Sequence, residues 1–176
     1  MRKNLSNKQI EKYSRQIVLK NVGTIGQKKI LDSNVLVVGA GGLGCPVIDY
    51  LSRAGVGRLG IIDYDKIDPS NIHRQSIYTF KDVGKYKVDV LKRKIMDINP
   101  DVKTKIFKSK ITIKNVDKIL KQFDIIIDGS DNFKTKFLLN KFARKLKKTL
   151  IVGAISKYDG HVFSFNFKRN NEACLN

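Results

Sequence analysis

The residues able to do chemistry in this chain begin with four glycines. Gly39, Gly41, Gly42 and Gly44 lie in the stretch NVLVVGAGGLG, Asn34 to Gly44, directly after the apolar run Val35 to Val38. A buried strand, a tight turn and a helix with a bare N-terminus are expected there. Unpaired N–H groups and the helix dipole at such a terminus favour an anion, usually a phosphate. Glycine is needed because the turn calls for positive φ and a side chain would hold the phosphate away. By itself this pattern indicates a nucleotide and leaves the reaction open. Asp63 closes the next apolar run, Leu59 to Ile62. It lies about 20 residues past the glycines, where a dinucleotide fold places the acid that binds ribose hydroxyls. The competing reading is an aspartate that caps a turn.

Three further side chains narrow the chemistry. Arg74, Lys87 and Asp131 can join the glycine amides and Asp63 in one crevice. Hydride transfer has little use for two cations and a metal-binding acid, which makes a plain NAD dehydrogenase the weakest of the enzyme readings. Phosphoryl or nucleotidyl transfer uses all three, because cations neutralise charge growing on phosphate oxygens and Mg²⁺ bridges phosphate to carboxylate. A carboxylate substrate attacking the α-phosphate of ATP needs no protein nucleophile and no general base. The absence of a Ser/His/Asp or Cys/His set is therefore no objection. His73 and His161 have no acidic neighbours at motif spacing, and both read as packing residues.

These side chains must be positioned by alternating strands and helices. Ser6-x-x-Gln9 is a capping box opening a first helix, with Ile10, Tyr13 and Ile17 on one face, and Gly23 breaks it. A second short helix is expected over Gln27 to Leu31, so that residues 1–33 form a helical arm ahead of the nucleotide strand. Leu43, Val47, Leu51 and Ala54 mark the helix after the glycines, and Gly55 and Gly57 end it. Asp65 to Phe80 is polar and irregular. Val88 to Ile98 is a helix, Val102 to Phe107 a strand, Val116 to Leu120 a short helix and Phe123 to Ile127 a fourth strand. Asp131 to Lys147 is helical, with Phe133, Phe137, Phe142 and Leu146 expected in the core. Leu150 to Ala154 and His161 to Phe167 are the last two strands. The pattern predicts an α/β, Rossmann-like, doubly wound and mainly parallel sheet in a single domain, 1–176. Ligands sit at the switch point of such a sheet, so the glycine loop and Asp128-Gly129-Ser130-Asp131 should face one crevice.

Composition excludes several classes. The 176 residues are 41% hydrophobic, which suits one domain with a real core. No apolar run is long enough to span a bilayer, and MRKNLSNKQ lacks the apolar stretch of a signal peptide. Two cysteines, Cys45 and Cys174, make no disulfide framework, which fits a reducing cytoplasm. The net charge of +19 comes mostly from lysines spread along the whole chain. No basic block with interleaved aromatics suggests stacked bases, so an acidic protein partner is favoured over nucleic acid.

Many separate stretches, in order, resemble the ThiF/MoeB/HesA family, the bacterial relatives of ubiquitin-activating enzymes. They are KYSRQIVL (Lys12 to Leu19), GTIGQ (Gly23 to Gln27), VLVVGAGGLGCP (Val35 to Pro46), YLSRAGVG (Tyr50 to Gly57) and IDYD (Ile62 to Asp65). SNIHRQ (Ser70 to Gln75), VGKYK (Val83 to Lys87), INP (Ile98 to Pro100) and SDNF (Ser130 to Phe133) complete the set. The resemblance implies that ATP adenylates the C-terminal glycine carboxylate of a small ubiquitin-like sulfur carrier (ThiS- or MoaD-like), serving thiamine or molybdopterin synthesis. It further implies that Gly42 lies against the phosphates, that Asp63 binds ribose, and that Asn71 and Arg74 contact the phosphates. Ser70, Asn71, Ile72, His73 and Arg74 would line the nucleotide, Lys87 would neutralise phosphate charge, Asp131 would hold Mg²⁺ and Asn132 would adjoin it. Arg15 matches an arginine that reaches into the neighbouring subunit's ATP site, which implies a homodimer; the alternative is a solvated helix face.

Two departures from the family pattern stand out. Cys45 takes a position often held by a small residue such as serine, and is read as packing. Cys174-Leu175-Asn176 stops one residue short of the C-x-x-C pair that helps hold a structural zinc in the family. The chain is therefore expected to be an N-terminal fragment, with Zn²⁺ at Cys174 only if the chain continues. Two other readings of the same residues remain: a carboxylate-activating dehydratase acting on tRNA, and a non-catalytic remnant that keeps only the nucleotide fold.

Overall fold

The computed structural model describes residues 4–168 and 174–175. Residues 1–3 of the expected arm and Asn176 of the final tripeptide lie outside the described residues. Six strands form one sheet in the order β3-β2-β1-β4-β5-β6. They are β1 (Asn34–Val38), β2 (Arg58–Ile62), β3 (Lys103–Phe107), β4 (Ile125–Asp128), β5 (Thr149–Ser156) and β6 (Asp159–Asn166). The first five are parallel, and β6 pairs antiparallel with β5. The order reverses between β1 and β4, which are direct neighbours in register Val38 to Asp128. That is the switch point, and both strands end there on the residues that open the glycine loop and the Asp128–Asp131 turn.

Helices cover both faces. Helices α4 (Gly44–Ala54) and α5 (Lys87–Ile98) bury Cys45, Ile48, Val88, Leu91 and Ile95 against one face of the sheet. Helices α6 (Val116–Leu120) and α7 (Phe133–Lys145) bury Ile119, Leu120, Leu139 and Ala143 against the other. Packing on both faces explains why β1 and β2 read as continuous apolar runs rather than alternating ones.

The N-terminal arm differs in detail from the single first helix read in the sequence. The Ser6 capping box is present, with Ser6 Oγ accepting from Gln9 N and Gln9 Oε1 from Ser6 N. The helix then breaks at Tyr13 into α1 (Asn7–Lys12) and α2 (Ser14–Ile17). Tyr13 is drawn inward: it is 1% exposed, and its hydroxyl accepts from Asn99 Nδ2 at 2.9 Å. Its ring occupies the space a side chain at Gly55 would need, and Gly55 has φ +83°, so both steric arguments require glycine there. Helix α3 (Gly23–Asp32) starts at Gly23 and is longer than the Gln27 to Leu31 segment expected. Gln27 fixes it to the end of α4 by donating from Nε2 to Ala54 O at 3.0 Å.

Helix α7 corrects the sequence reading of its inner face. Phe133 is 76% exposed and Phe137 47% exposed, although both were expected in the core with Phe142 and Leu146. The buried stripe is Lys136, Leu139, Asn140 and Ala143, at helical spacing, with Phe142 at its edge. The helix is rotated because Lys136 pairs with Asp128 at the end of β4. The two phenylalanines stack on each other outside, ring centroids 6.3 Å apart.

The crossover between β2 and α5 is pinned by Asp82. Its carboxylate accepts from Thr79 N and Oγ1 at 3.1 and 2.8 Å and from Arg93 at 2.8 Å, with Lys94 3.5 Å away. Burial pushes its pKa up, but the Thr79 hydrogen bonds and the neighbouring cations outweigh that and hold it down, from 3.8 to about 2. A carboxyl depressed in the folded state contributes its full stability above 3.8 and loses it as pH falls through about 2. Asp82→Asn is therefore expected to lower stability by about 2 kcal/mol at pH 7. The gap to wild type should shrink between pH 4 and pH 2 in denaturant titrations.

Candidate active site

A crevice of about 1450 Å³ opens at the switch point. Its floor is built where β1 runs into the glycine turn and α4 begins. Gly39 has φ +91°, and a side chain there would press on the Gly129 carbonyl of the neighbouring turn. A Cβ on Gly44 would overlap the Gly39 carbonyl oxygen. These two glycines are structural: they let the loop close on itself and on the turn after β4. Gly41 and Gly42 are different. A Cβ on Gly42 would meet only Arg74 Cγ and Cδ at 3.7 Å, and one on Gly41 only Gln75 Nε2 at 3.9 Å. The methyl group would enter the crevice itself, over a helix whose N-terminus at Leu43 has no side-chain cap. That space and that dipole fit a polyphosphate.

The distinction gives a clear expectation. Gly42→Ala should leave the melting temperature within about 2 °C of wild type, because nothing in the protein resists the methyl. It should weaken ATP binding at least about tenfold, because the methyl displaces phosphate from the N–H groups. Gly39→Ala should instead destabilise the fold. Isothermal titration calorimetry and thermal melts of both variants separate the two roles.

Asp63 is 9% exposed and does two jobs. Its Oδ2 accepts from Ala40 N at 2.7 Å and its Oδ1 from Asp65 N at 2.7 Å. It therefore clamps the glycine loop to the end of β2, as a turn cap would. It also lines the crevice, and each carboxylate oxygen keeps a lone pair that a sugar hydroxyl could use. The turn-capping contacts are present, and the position at the crevice leaves the ribose role open to the same residue.

The irregular segment after β2 carries a 3₁₀ turn over Pro69–Asn71, capped by Asp68 accepting from Ser70 N. Ser70, Asn71 and Arg74 line the crevice. Arg74 is exposed, and its Nη1 donates to Ser70 O at 3.0 Å and lies 2.7 Å from His73 Nε2. Ile72 packs on the core and His73 is exposed beside Arg74; neither lines the crevice. Lys87 is 5% exposed at the first position of α5, its Nζ 3.3 Å from Asp65 Oδ2 and facing the same space. Asp131 and Asn132 close the opposite wall. Asn132 caps α7 by accepting from Thr135 N at 2.9 Å, and its amide donates to Asp131 Oδ1 at 3.3 Å.

The structure thus brings together Gly39, Gly41, Gly42, Asp63, Ser70, Asn71, Arg74, Lys87, Asp131 and Asn132. It leaves Gly44, Ile72 and His73 outside the crevice wall. Arg15 is exposed on α2 and is not among the lining residues. Cys45 is fully buried behind the loop, with Sγ donating to Ala40 O at 3.3 Å. Burial pushes its thiol up to about 11, which makes it inert at neutral pH and bears out a packing role. Cys174 packs beside α7, and no group of three or more metal-binding side chains occurs among the described residues.

Three contributors were missed in the sequence: Asp65, which holds Lys87; Gln75, 3% exposed on the crevice wall with Oε1 unpartnered; and Lys136, 8% exposed. Gln75 falls inside the SNIHRQ stretch. A lysine on a basic helix carries no such signal.

The donor set fits a nucleotide with its metal. The open cradle at Gly41 and Gly42 has room for phosphate, and the Asp131 carboxylate, held at Oδ1 by Asn132, is the kind of single protein ligand Mg²⁺ would use when phosphates supply its other ligands.

The model of the ThiF family matches residues 13–176. A sulfur carrier protein adenylyltransferase of Thermus thermophilus is 42% identical over 161 residues, 92% of this chain and 59% of that protein. A probable molybdopterin-synthase adenylyltransferase of Porphyra purpurea is 41% identical over 157 residues, 89% of this chain and 41% of that protein. The chain spans about half the length of these relatives. Among solved structures, E. coli tRNA N6-threonylcarbamoyladenosine dehydratase, TcdA, in complex with AMP superposes with a TM-score of 0.79. It is 26% identical, and the match covers 84% of this chain and 60% of that one. With the family's model matching all but the first twelve residues, the chain belongs to the ThiF family.

Proposed function

We propose that this chain is an adenylyltransferase domain that uses ATP to activate the C-terminal glycine carboxylate of a ubiquitin-like sulfur carrier protein. The observation that carries the proposal is the meeting, in one crevice, of an open glycine cradle, Arg74, Lys87 and Asp131. Identity of 41–42% to relatives named for sulfur carrier and molybdopterin-synthase adenylylation supports this substrate class.

In the reaction, a carboxylate oxygen of the carrier bonds to the α-phosphorus of ATP. The bond from that phosphorus to the oxygen bridging to the β-phosphate breaks, and pyrophosphate leaves with the electron pair. The product is an acyl adenylate, and no proton is transferred. The N–H groups over Gly41 and Gly42 hold the polyphosphate, and Asp63 orients the ribose. Arg74 and Lys87 neutralise charge that grows on the phosphate oxygens. Mg²⁺, when bound, adds further charge neutralisation, with Asp131 as its protein ligand and Asn132 steadying that carboxylate. The exposed Phe133–Phe137 pair and Ile155 line the same crevice and offer an apolar lip for the incoming tail.

The working unit is proposed to be a cytoplasmic homodimer. Arg15 stands on the arm, away from its own crevice, amid exposed Val18, Leu19 and Ile25, which suits a contact with a second copy. Cys174 could contribute one of the four ligands of a structural zinc, and Cys45, the other cysteine of the sequence, is buried behind the glycine loop. Thiamine and molybdopterin synthesis are the two routes such a carrier would serve.

The test is exchange of labelled pyrophosphate into ATP in the presence of a carrier ending in Gly-Gly. Exchange that depends on the carrier is the expected result, and none in any carrier's presence overturns the proposal. The net charge of +19 and the likeness to TcdA favour a second reading, activation of a carboxylate on tRNA. Non-specific affinity for RNA falls steeply with salt. Binding to tRNA that survives physiological salt, with no response to a carrier, would establish the second reading over the first.

A further inference from the structure

Beneath the Asp128–Asp131 turn lies a buried ion pair for which the proposed reaction has no direct use. Asp128 is fully buried and Lys136 8% exposed, with Lys136 Nζ 3.2 Å from Asp128 Oδ2. The same ammonium donates to Gly153 O on β5 at 2.8 Å. The other oxygen of Asp128, Oδ1, accepts from Ser130 N at 2.9 Å and from Ser130 Oγ at 2.6 Å. One carboxylate and one ammonium thus join the end of β4, the second turn of α7 and the middle of β5. Both hydrogen bonds to Asp128 Oδ1 come from Ser130, in the turn that presents Asp131, while the bond to Gly153 O anchors the ammonium to β5.

Stability alone does not account for such a pair. Desolvating two charges costs about as much as their attraction returns, and a well-packed apolar pair often serves as well. What an ion pair supplies is a fixed geometry, and here that geometry has a reader on each side. Asp131 follows Ser130 directly, and Asn132 caps α7 while donating to Asp131. On the other side, the Gly129 carbonyl lies close to Gly39, and Gly129 Cα faces the backbone of Gly44 closely enough that an added Cβ would sit 3.2 Å from Gly44 N. Any movement of the turn therefore shifts the metal-binding acid and the phosphate cradle relative to each other.

We propose that Lys136, acting through Asp128 and Ser130, is a positioning residue that sets the distance between Asp131 and the glycine cradle. This rests on the reading of the crevice as a Mg-ATP site. Three variants test it: Lys136→Met, Lys136→Arg and Ser130→Ala. Two readouts do not depend on turnover: amide hydrogen exchange at Gly129 and Ser130 in the ligand-free chain, and calorimetric ATP binding as a function of Mg²⁺ concentration. Lys136→Met should speed exchange at those amides and raise the Mg²⁺ needed for half-maximal ATP binding by about ten- to a hundredfold. Lys136→Arg, which keeps the charge and the donors, should restore both. Ser130→Ala keeps the ion pair, removes one bond to the turn, and should raise the Mg²⁺ requirement by about tenfold with an unchanged melting temperature.

A folded Lys136→Met chain with wild-type exchange and Mg²⁺ requirement overturns the proposal. Should Lys136→Met fail to fold, Ser130→Ala decides: an unchanged Mg²⁺ requirement overturns it and a raised one upholds it. A wild-type chain that binds no Mg-ATP overturns the functional reading and this one with it. Normal Mg-ATP binding in wild type and in all three variants overturns this one alone.

Discussion

Arg74→Ala should lower the chemical step of pyrophosphate exchange by about 10²- to 10³-fold while weakening ATP binding by less than about tenfold. The asymmetry follows from where the guanidinium is held. Arg74 is exposed at the crevice wall, its stem against Gly42 and its Nη1 tied to Ser70 O and His73. It is pre-oriented by its own loop and approaches from the open side of the cradle. In the proposed reaction the ground-state phosphates would already have the backbone N–H groups and Lys87. Extra negative charge appears on the α-phosphate oxygens only as the carboxylate attacks and pyrophosphate begins to leave. A group that meets that charge late lowers the barrier without tightening ATP binding in proportion. Lys at this position supplies a point charge without the planar pair of donors, so Arg74→Lys should recover only part of the loss. Equal losses in binding and in rate would show that Arg74 only holds ATP, and would remove it from the chemistry. Single-turnover rates beside equilibrium binding make the separation.

What was legible in the sequence followed from periodicity and from glycine. The continuous runs Val35 to Val38 and Leu59 to Ile62 announced strands buried on both faces, and alternation with helices announced a parallel sheet. The switch point of such a sheet places the glycine loop beside Asp128–Asp131, as β1 and β4 do as direct neighbours. What was not legible depended on pairings between distant residues. Phe133 and Phe137 read as core because aromatics usually are, but the charge on Asp128 pulls Lys136 inward and turns α7 so that both rings face out. Tyr13 breaks the first helix because Asn99, 86 residues away, holds its hydroxyl. Likewise, the spacing of Asp63 suggested a ribose ligand or a turn cap, and only the folded contacts show both its oxygens accepting loop N–H groups. Local pattern specified the elements; long-range polar contacts specified which face each one turns to the site.

The position of Arg15 yields the second large effect, and it distinguishes a dimeric enzyme from a monomeric one. Arg15 lies on a four-residue helix of the arm, exposed, and the arm is stapled to the far ends of α4 and α5 through Tyr13, Asn99 and Gln27. With the arm held there, Arg15 has no route to its own crevice short of unstapling Tyr13. If it serves a nucleotide, it serves that of a second copy. Arg15→Ala and Asp131→Ala should each reduce exchange by at least about a hundredfold when prepared alone, since in the proposed dimer each would remove a charge from every site. Mixed in equal amounts and allowed to exchange subunits, half of the dimers carry one variant of each kind. In a two-fold dimer with the arginine supplied across the interface, one site of each mixed dimer then contains both native residues and the other contains neither. The mixture should therefore recover about a quarter of wild-type activity, far above either parent. An arginine acting within its own subunit leaves every site of every mixed dimer defective, and mixing then restores nothing. The same experiment on Arg74→Ala with Asp131→Ala is the internal control: both residues line one crevice, so no mixed dimer holds an intact site and no recovery is expected.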